Sequence, residues 1–352
     1  MGSATAWQVA SRGRSVLLTE QFEVGHNRGS SHGAVRIFRL AYDDVHYVRM
    51  AQQALPRWRE LEAETGETLL DMTGVYDHGP IGTVTTIANA LETAGARFEW
   101  LDPDAARERV PGLVFDDEVV FHPDGGRCFA AETLLALQRR VTELGGEVQF
   151  STRATISKVD DDHVELFIGD ETVRAGVAVV TAGTWVADVL GGRVTLPKLV
   201  LDRERVTHFR PHDPDAPWPS FLHHVDPWRY GLQTPGVGLK IGGLREFQLP
   251  EVADLAQPTG LPDPKTIDAA RRHAERWAPG VDPEPFYGPV CSFTSTESRD
   301  FILDRVGPLV VGSPCSDHGF KFTPLIGSLL ADLACSTEPS FDLTRHRLSA
   351  FH

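Results

Sequence analysis

The chain has 352 residues, 41% of them hydrophobic, which suffices for about two domains that each bury a sizeable core. Its formal net charge of -15 repels nucleic-acid phosphates and anionic membrane surfaces, and its lysines and arginines are scattered along the chain. We therefore expect a small-molecule partner, and neither a nucleic-acid nor a membrane partner.

The cysteines and the N-terminus predict a soluble protein of a reducing compartment. Cys128, Cys291, Cys315 and Cys335 lie too far apart for a disulfide framework, and none forms a zinc-type pair. The N-terminus has no basic segment that leads into an apolar stretch, and no apolar run reaches the length of about 18 residues that a membrane span needs. We expect a cytoplasmic protein that is not exported and holds no metal.

The first twenty residues predict a helix followed by a strand. Small residues run from Gly2 to position 10, Gly13 ends the helix, and an apolar run at 16–18 precedes Glu20. A glycine-rich turn followed about 20 residues later by an acid is typical of a dinucleotide-binding βαβ unit, in which the acid binds a ribose hydroxyl. One ordinary repeat of an α/β protein, with a solvated glutamate at the strand end, gives the same pattern.

Only the second half of that unit follows Gly2. Its first strand and the first two glycines of G-x-G-x-x-G would precede this position. We expect the coding sequence upstream of Met1 to continue in frame into an apolar strand and a Gly-x-Gly turn.

The remaining pattern alternates between α/β and β-rich segments. It predicts, in chain order, a polar loop at 21–33, a basic and apolar segment at 34–42, helices at 46–65 and 131–144 and a strand at 147–152. Two β-rich segments at 154–168 and 172–180 follow, and an apolar strand at 178–182 then leads into Gly183. Short alternating runs at 230–233 and 238–242, among many prolines, predict an antiparallel sheet between about 197 and 290. A buried strand at 309–312 and a helix at 324–334 close the chain. We expect a two-domain enzyme with its site between the domains.

A loop at 312–322 joins that last strand to the last helix, which is where open α/β sheets hold ligands. Lys321 and the free N–H groups of the helix start would form an anion site there. A surface lysine after a flexible turn is the alternative. The glycines of the loop, together with Phe320 and Phe322, argue against free solvation.

Several separated motifs then resemble one family. They are SSHGAVRIFR at 30–39, AGTW at 182–185, YG at 230–231, GLKIG at 238–242, CSFTST at 291–296 and HGFKF at 318–322. In order and spacing they resemble the monomeric sarcosine oxidase and N-methyl-amino-acid oxidase family, FAD-dependent amine oxidases of the D-amino acid oxidase superfamily. The resemblance runs from Gly2 to about Ala334.

The resemblance implies an α/β fold in which a Rossmann-like FAD-binding domain, lacking its first strand here, is interleaved with a β-rich antiparallel-sheet substrate domain. The FAD-binding domain would comprise 1–72, 129–196 and 291–352. The substrate domain would comprise 73–128 and 197–290.

The resemblance also implies the cofactor contacts. Gly2 would be the third glycine of the nucleotide turn, Glu20 the ribose acid, and Cys291 the thiol that attaches FAD covalently at its 8α position. His32 and Arg36 would lie against the flavin ring, where cationic character favours the reduced, anionic flavin. Further cofactor contacts are implied for Ser31, Gly183, Trp185, His318, Gly319 and Phe320.

The substrate contacts follow from the same resemblance. Arg39 and Lys321 would hold the substrate carboxylate and so place its α-carbon over the flavin. Lys240 would contact flavin N5 through water and promote the reaction with oxygen. Tyr230 would line the substrate cavity.

Two positions depart from the family pattern. Leu244 stands where sarcosine oxidases carry a histidine near the substrate amine. This difference puts sarcosine itself in doubt as the substrate and favours a substrate with a larger or more apolar side chain. Asp317 stands where the family has glycine, so that it either weakens the anion site or lies on the solvent side.

The predicted function is that of an FAD-dependent, monomeric oxidase of secondary, N-methylated amino acids. The free-base amine would pass a hydride to flavin N5, the imine would hydrolyse, and O2 would reoxidise the flavin to give H2O2. Two alternatives stay open. One is a dehydrogenase that uses another electron acceptor, and the other is a flavin-free remnant with a binding or scaffold role.

Overall fold

The computed structural model describes residues 1–243 and 263–351. The helices are α1 (Gly2–Ser11), α2 (Val45–Thr65), α3 (Ile81–Thr93), α4 (Pro103–Arg109), α5 (Ala130–Glu143), α6 (Val186–Leu190), α7 (Pro264–Trp277) and α8 (Thr323–Ala334). The strands are β1 (Leu17–Thr19), β2 (Val35–Phe38), β3 (Leu70–Asp71), β4 (Val75–His78), β5 (Glu99–Leu101), β6 (Val119–His122), β7 (Gly126–Phe129), β8 (Glu147–Gln149), β9 (Ala154–Val159), β10 (Val164–Ile168), β11 (Glu171–Ala175), β12 (Ala178–Val180), β13 (Val200–Arg205), β14 (Thr207–Phe209), β15 (Ser220–His223), β16 (Arg229–Thr234), β17 (Gly238–Gly242), β18 (Val290–Ser295), β19 (Ile302–Val306) and β20 (Leu309–Ser313).

Parallel strand pairs and the helices packed on them form the predicted nucleotide-binding part. Strand β1 pairs in parallel with β8, and β12 pairs in parallel with β20, which β19 extends antiparallel. Helix α1 packs closely on α8, because Ala4 lies where a side chain on Gly327 would stand: a Cβ there would be 2.6 Å from the Ala4 Cβ. The small residues of the first helix thus serve helix packing, as their pattern predicts.

The predicted helices are confirmed to within one or two residues at their ends. Asp44 caps the start of helix α2, where its carboxylate accepts the His46 N–H at 2.9 Å, and Gly66 caps its end with φ of 72°. Its inner face buries Trp58 and Leu61 completely. The strand predicted at 147–152 is shorter, since β8 ends at Gln149. None of the helices in the described part of the chain is long and apolar enough to cross a membrane.

The second part of the fold is built on a seven-stranded mixed sheet, whose strand order is β14-β17-β16-β15-β4-β6-β5. The antiparallel pairing predicted for 230–233 and 238–242 is confirmed by β16 and β17. Lys240 lies opposite Leu232, and Leu222 lies opposite both Tyr230 and Asp77. Because side chains alternate along a strand, these five residues share one face of the sheet. The α/β fold with an interleaved antiparallel sheet is therefore confirmed.

Candidate active site

One large cavity, of about 2250 Å³, separates the parallel strands from the face of the seven-stranded sheet. It is bounded by the strand ends of β1 and β12, the loop at 21–33, the loop at 314–321 and the sheet face that carries Lys240. Every site residue predicted from the sequence lines it: Gly2, Glu20, Ser31, His32, Arg36, Arg39, Gly183, Trp185, Tyr230, Lys240, Cys291, His318, Gly319, Phe320 and Lys321.

One end of the cavity has the features of a nucleotide site. A Cβ on Gly2 would lie 2.7 Å from the Thr181 hydroxyl oxygen, so the start of α1 approaches the end of β12 closely. The Glu20 carboxylate follows β1 and accepts the Phe22 N–H at 3.0 Å. Burial raises its pKa, but His26 and backbone N–H donors outweigh burial, so the pKa is lowered and the carboxylate is ionised. Trp185 packs against Phe22 with ring centroids 5.3 Å apart.

The predicted attachment site is a cysteine beside a guanidinium. The Cys291 Sγ lies 3.7 Å from Nη2 of Arg36 and 3.6 Å from Nε2 of His32. The same guanidinium donates to the carbonyls of Ser30 and His32, at 2.8 and 2.5 Å. These bonds fix the positive charge of the guanidinium next to the sulfur.

The charge of this cluster resides on Arg36. Burial and then the charges of Arg36 and Lys240 lower the pKa of His32 to about 4, so its imidazole is neutral at neutral pH. His32 is thus neutral in this structure, and the place of His32 and Arg36 beside the flavin ring stays a prediction. A neutral imidazole is what two nearby cations impose on a third basic group.

The other three cysteines lack such a setting. Burial raises the pKa of Cys128 to about 12, and burial likewise raises the pKa of Cys315, whose Sγ lies 3.5 Å from the Ser30 hydroxyl. Cys335 is partly exposed beyond the end of α8. The charges of Lys321 and Arg36 also act on Cys128, but among these four cysteines Cys291 is the one whose sulfur lies within hydrogen-bonding distance of a guanidinium.

Two cations converge on the ring of Tyr42. The Arg39 guanidinium carbon lies 4.1 Å from the ring centroid, and the Lys321 Nζ lies 5.6 Å from it. Lys321 is almost fully buried and donates to the His318 carbonyl at 2.7 Å. Burial and then the charge of Arg39 lower the pKa of Lys321 to about 7. An anion bound between the two cations would raise the pKa of Lys321 again, because a nearby negative charge favours the charged lysine. This behaviour is expected of a carboxylate-binding site.

The loop that carries Lys321 is held rigidly, as its glycines and phenylalanines predict. A Cβ on Gly319 would lie 1.8 Å from the Pro314 carbonyl oxygen, so no other residue fits this position. The His318 ring stacks on Phe301, with centroids 4.6 Å apart, and its Nδ1 lies 3.2 Å from the Tyr42 hydroxyl. The alternative of a surface lysine on a flexible turn is therefore excluded.

Lys240 connects the sheet face to the β2 segment. Its Nζ donates to the Val35 carbonyl at 3.4 Å, one residue before Arg36. Burial and then the charge of Arg36 lower the pKa of Lys240 to about 8. The ammonium thus stands on the cavity side of the sheet, close to the cluster that contains Cys291.

Asp317 lies on the cavity side of its loop, with 14% of its side chain exposed and its carboxylate 3.9 Å from Arg299. Its charge partly opposes the lowering of the pKa of Lys240 and of Lys321. Of the two expectations for Asp317, the structure therefore favours the one in which this acid weakens the anion site over the one in which it lies on the solvent side. Leu244, the other departure, lies outside the described residues.

Sequence reasoning missed two polar groups of the cavity wall and a buried acid behind one of them. Glu204, on β13, accepts the Tyr230 hydroxyl at 3.2 Å and the Gly243 N–H. Burial and then the charge of Asp317 raise its pKa to about 8. His224 lines the cavity as well, and its imidazole is hydrogen-bonded to the buried Asp77. An acid within a strand, as at Glu204, is the one signal of this that the sequence offers.

The residues present fit a flavin dinucleotide. The cavity exceeds the roughly 300–1,000 Å³ of an ordinary small-ligand pocket, so it has room for an extended cofactor and a substrate together. Glu20 and Gly2 would hold the ribose and pyrophosphate portion, and Arg36, His32 and Cys291 would face the ring portion. Within 1–243 and 263–351, no cluster of three or more His, Cys, Asp or Glu side chains could hold a metal ion.

The fold and this cavity define an α/β flavoenzyme of the dinucleotide-binding class. The chain belongs to the family of FAD-dependent oxidoreductases, whose family model matches residues 1–333. The family resemblance inferred from the separated motifs is thereby confirmed.

Individual relatives cover almost the whole chain. The peroxisomal sarcosine oxidase of Homo sapiens is 31% identical over 99% of this chain and 93% of its own length. The N-methyl-L-tryptophan oxidase of Yersinia pestis is 29% identical over 100% of this chain and 96% of its own. The solved structure of NikD, described as an unusual amino acid oxidase essential for nikkomycin biosynthesis, has 26% identity and a TM-score of 0.86, and the match covers 98% of this chain and 94% of that one.

Proposed function

We propose that this flavoenzyme oxidises secondary, N-methylated amino acids at the bond between the α-carbon and nitrogen. The observation that carries the proposal is the pair Arg39 and Lys321 beside the ring of Tyr42, in the cavity that Lys240 of the sheet face also lines. Two fixed cations at one wall suit a carboxylate. The relatives named for sarcosine and N-methyl-L-tryptophan support an N-methylated amine at the other end of the substrate.

The chain's own residues would position the substrate and exclude water. Arg39 and Lys321 hold the carboxylate, and Tyr230, fixed by its hydrogen bond to Glu204, borders the cavity beside it. A flavin held there would supply the hydride acceptor, with O2 as the proposed final acceptor of the electrons. Cys291 would anchor the cofactor covalently, because its sulfur is the one thiol beside a guanidinium among the four cysteines.

Oxygen as the electron acceptor is the finer part of the proposal, and it rests on Lys240. A buried ammonium at the sheet face stabilises the negative charge that develops when O2 accepts an electron. Its depressed pKa, about 8, still leaves it mainly charged at neutral pH. A dehydrogenase that passes its electrons to another acceptor is the alternative, and it needs no such ammonium.

Separate measurement of the two half-reactions tests this assignment. We expect Lys240→Met to keep anaerobic flavin reduction by an N-methyl amino acid within about tenfold, but to slow reoxidation by O2 by two orders of magnitude or more, roughly the effect of one electrostatic catalytic group. Lys265→Met, at an exposed helix position, is the matched control and should behave as wild type. Unchanged reoxidation in Lys240→Met would favour the dehydrogenase alternative.

A further inference from the structure

A buried carboxylate and a histidine form a pair at the cavity wall. Asp77 has no exposed surface, and its Oδ1 accepts Nε2–H of His224 at 2.9 Å. Its Oδ2 lies 3.6 Å from Nε2 of His122, which is longer than a hydrogen bond. Burial raises the pKa of Asp77, but the two neighbouring histidines and Arg39 outweigh it, so the pKa lies well below its ordinary value. The carboxylate is therefore ionised.

The tautomer of His224 follows from this pair. An ionised carboxylate can only accept, so Nε2 carries a proton, and in the neutral imidazole Nδ1 is then the acceptor. Within the described ranges 1–243 and 263–351, no hydrogen bond engages Nδ1. The side chain is 18% exposed and lines the cavity. The protein thus presents an oriented acceptor, with a fixed negative charge behind it, to whatever the cavity binds.

The pair stands on the same sheet face as the other cavity groups. His224 follows Leu222 by two residues, and Leu222 lies opposite Tyr230 on one side and Asp77 on the other. Arg39 is close enough to Asp77 to help lower the pKa of its carboxyl group. The lining of the cavity therefore includes the cations Arg39 and Lys321 and also an acceptor, His224, which the Asp77 carboxylate backs with a negative charge.

An amino acid carries a carboxylate and an ammonium two bonds apart, and this wall complements both. We propose that His224, oriented by Asp77, binds the amino group of the substrate through Nδ1, an assignment that rests on the proposed function. The same contact gives the ammonium a proton acceptor. One N–H bond of the substrate breaks, one forms on Nδ1, and Asp77 balances the charge of the imidazolium, with no electrons transferred. The free-base amine that hydride loss requires is the product.

Calorimetric titration of the purified flavoprotein with two ligands isolates the amino group. The first is 2-aminoisobutyrate, which has no hydrogen on its α-carbon and so cannot be oxidised there. The second is 2,2-dimethylpropanoate, which has a methyl group where the first has its ammonium. Both carry the same carboxylate, so the ratio of their affinities reports recognition of the amine alone.

We expect wild type to prefer 2-aminoisobutyrate, and His224→Leu to lose about tenfold or more of that preference, the range for a hydrogen bond to a charged group. Affinity for 2,2-dimethylpropanoate should stay unchanged. Asp77→Asn, a substitution of equal size, should likewise lower the preference for 2-aminoisobutyrate. This variant replaces His224→Leu in the test if the leucine variant does not fold. His212→Leu, at an exposed position, is the matched control.

Three results would overturn the assignment. The first is a wild type that does not prefer the amine ligand, and the second is a His224→Leu variant that retains this preference. The third is a His224→Leu variant that loses affinity for both ligands equally. The proposed function is assessed separately, by whether an N-methyl amino acid reduces the flavin of wild type. A wild type that is reduced while His224→Leu keeps its preference would leave the function standing and remove only this role of His224.

Discussion

At the scale of single residues, the cavity is governed by how closely its charged groups crowd one another. Lys321, Lys240 and His32 all have lowered pKa values because burial removes water and other cations lie nearby. Glu204 shows the opposite shift for the equivalent reason, burial beside another acid. Such opposed shifts within one cleft are typical of a site that binds charged ligands.

The lowered pKa of Lys321 predicts a pH-dependent affinity for carboxylates. A bound anion favours the charged lysine, so binding needs no proton uptake below the free-site pKa of about 7. Above that pH the lysine must first gain a proton, and affinity falls by up to about tenfold per pH unit. Titration with 2,2-dimethylpropanoate should therefore give much tighter binding at about pH 6 than at about pH 9.

Lys321→Met is the control for this pH effect. It should bind the carboxylate weakly at both pH values, because a neutral side chain of similar length has no proton to gain. An affinity of wild type that does not change between the two pH values would show that Lys321 does not contact the anion.

The thiol of Cys291 predicts a covalent cofactor. Acid precipitation of wild type should give a yellow pellet, because the flavin stays attached to the denatured chain. Cys291→Ser should give a colourless pellet and free FAD in the supernatant. Cys315→Ser, whose thiol lies near Ser30 in the same region, should remain yellow. A yellow Cys291→Ser pellet would place the attachment elsewhere.

At the scale of elements, the contact between α1 and α8 sets the frame of the cavity. The first helix lines the nucleotide end, and α8 follows the loop with Lys321. Gly327 is the point of closest approach, since its Cβ position lies within 3 Å of both the side chain and the backbone of Ala4. A methyl group there forces the helices apart.

Gly327→Ala should therefore destabilise the protein by about 1–3 kcal/mol, the usual cost of overpacking. Gly82→Ala is the matched control, because Gly82 lies in the exposed first turn of α3 with open space around its Cβ position. It should be neutral or stabilising by up to about 1 kcal/mol, owing to higher helix propensity. Urea unfolding of both variants measures the difference, and equal stabilities would contradict the packing argument.

The sequence predicts local elements well, and long-range pairings poorly. The loop with Lys321 could be predicted because a strand, glycines and a helix start follow each other within a few residues. Glu204 could not, because its role depends on β13 pairing with β18, which brings it opposite Cys291, far along the chain. His224 depends likewise on the parallel pairing of β15 with β4, which no local pattern encodes.

At the scale of the whole molecule, two parts of the fold line one cavity. The parallel strands with α1 and α8 provide the nucleotide end, and the seven-stranded sheet provides Lys240, Tyr230 and His224. The domain boundaries given above remain a prediction, as does a monomeric state, which light scattering would show as the mass of one chain. We expect catalysis to need both parts, because the proposed anion site and the sheet-face groups do not lie in one of them alone.

The most direct test of the central claim is the visible spectrum of the purified protein under anaerobic conditions, before and after an N-methyl amino acid is added. We expect the absorbance of oxidised flavin to be present and then to bleach fully, because the bound flavin accepts the electrons of the substrate. Glycolate, a carboxylate without an amine, should leave it unchanged. A protein without flavin absorbance, or one whose flavin no N-methyl amino acid reduces, would contradict the account.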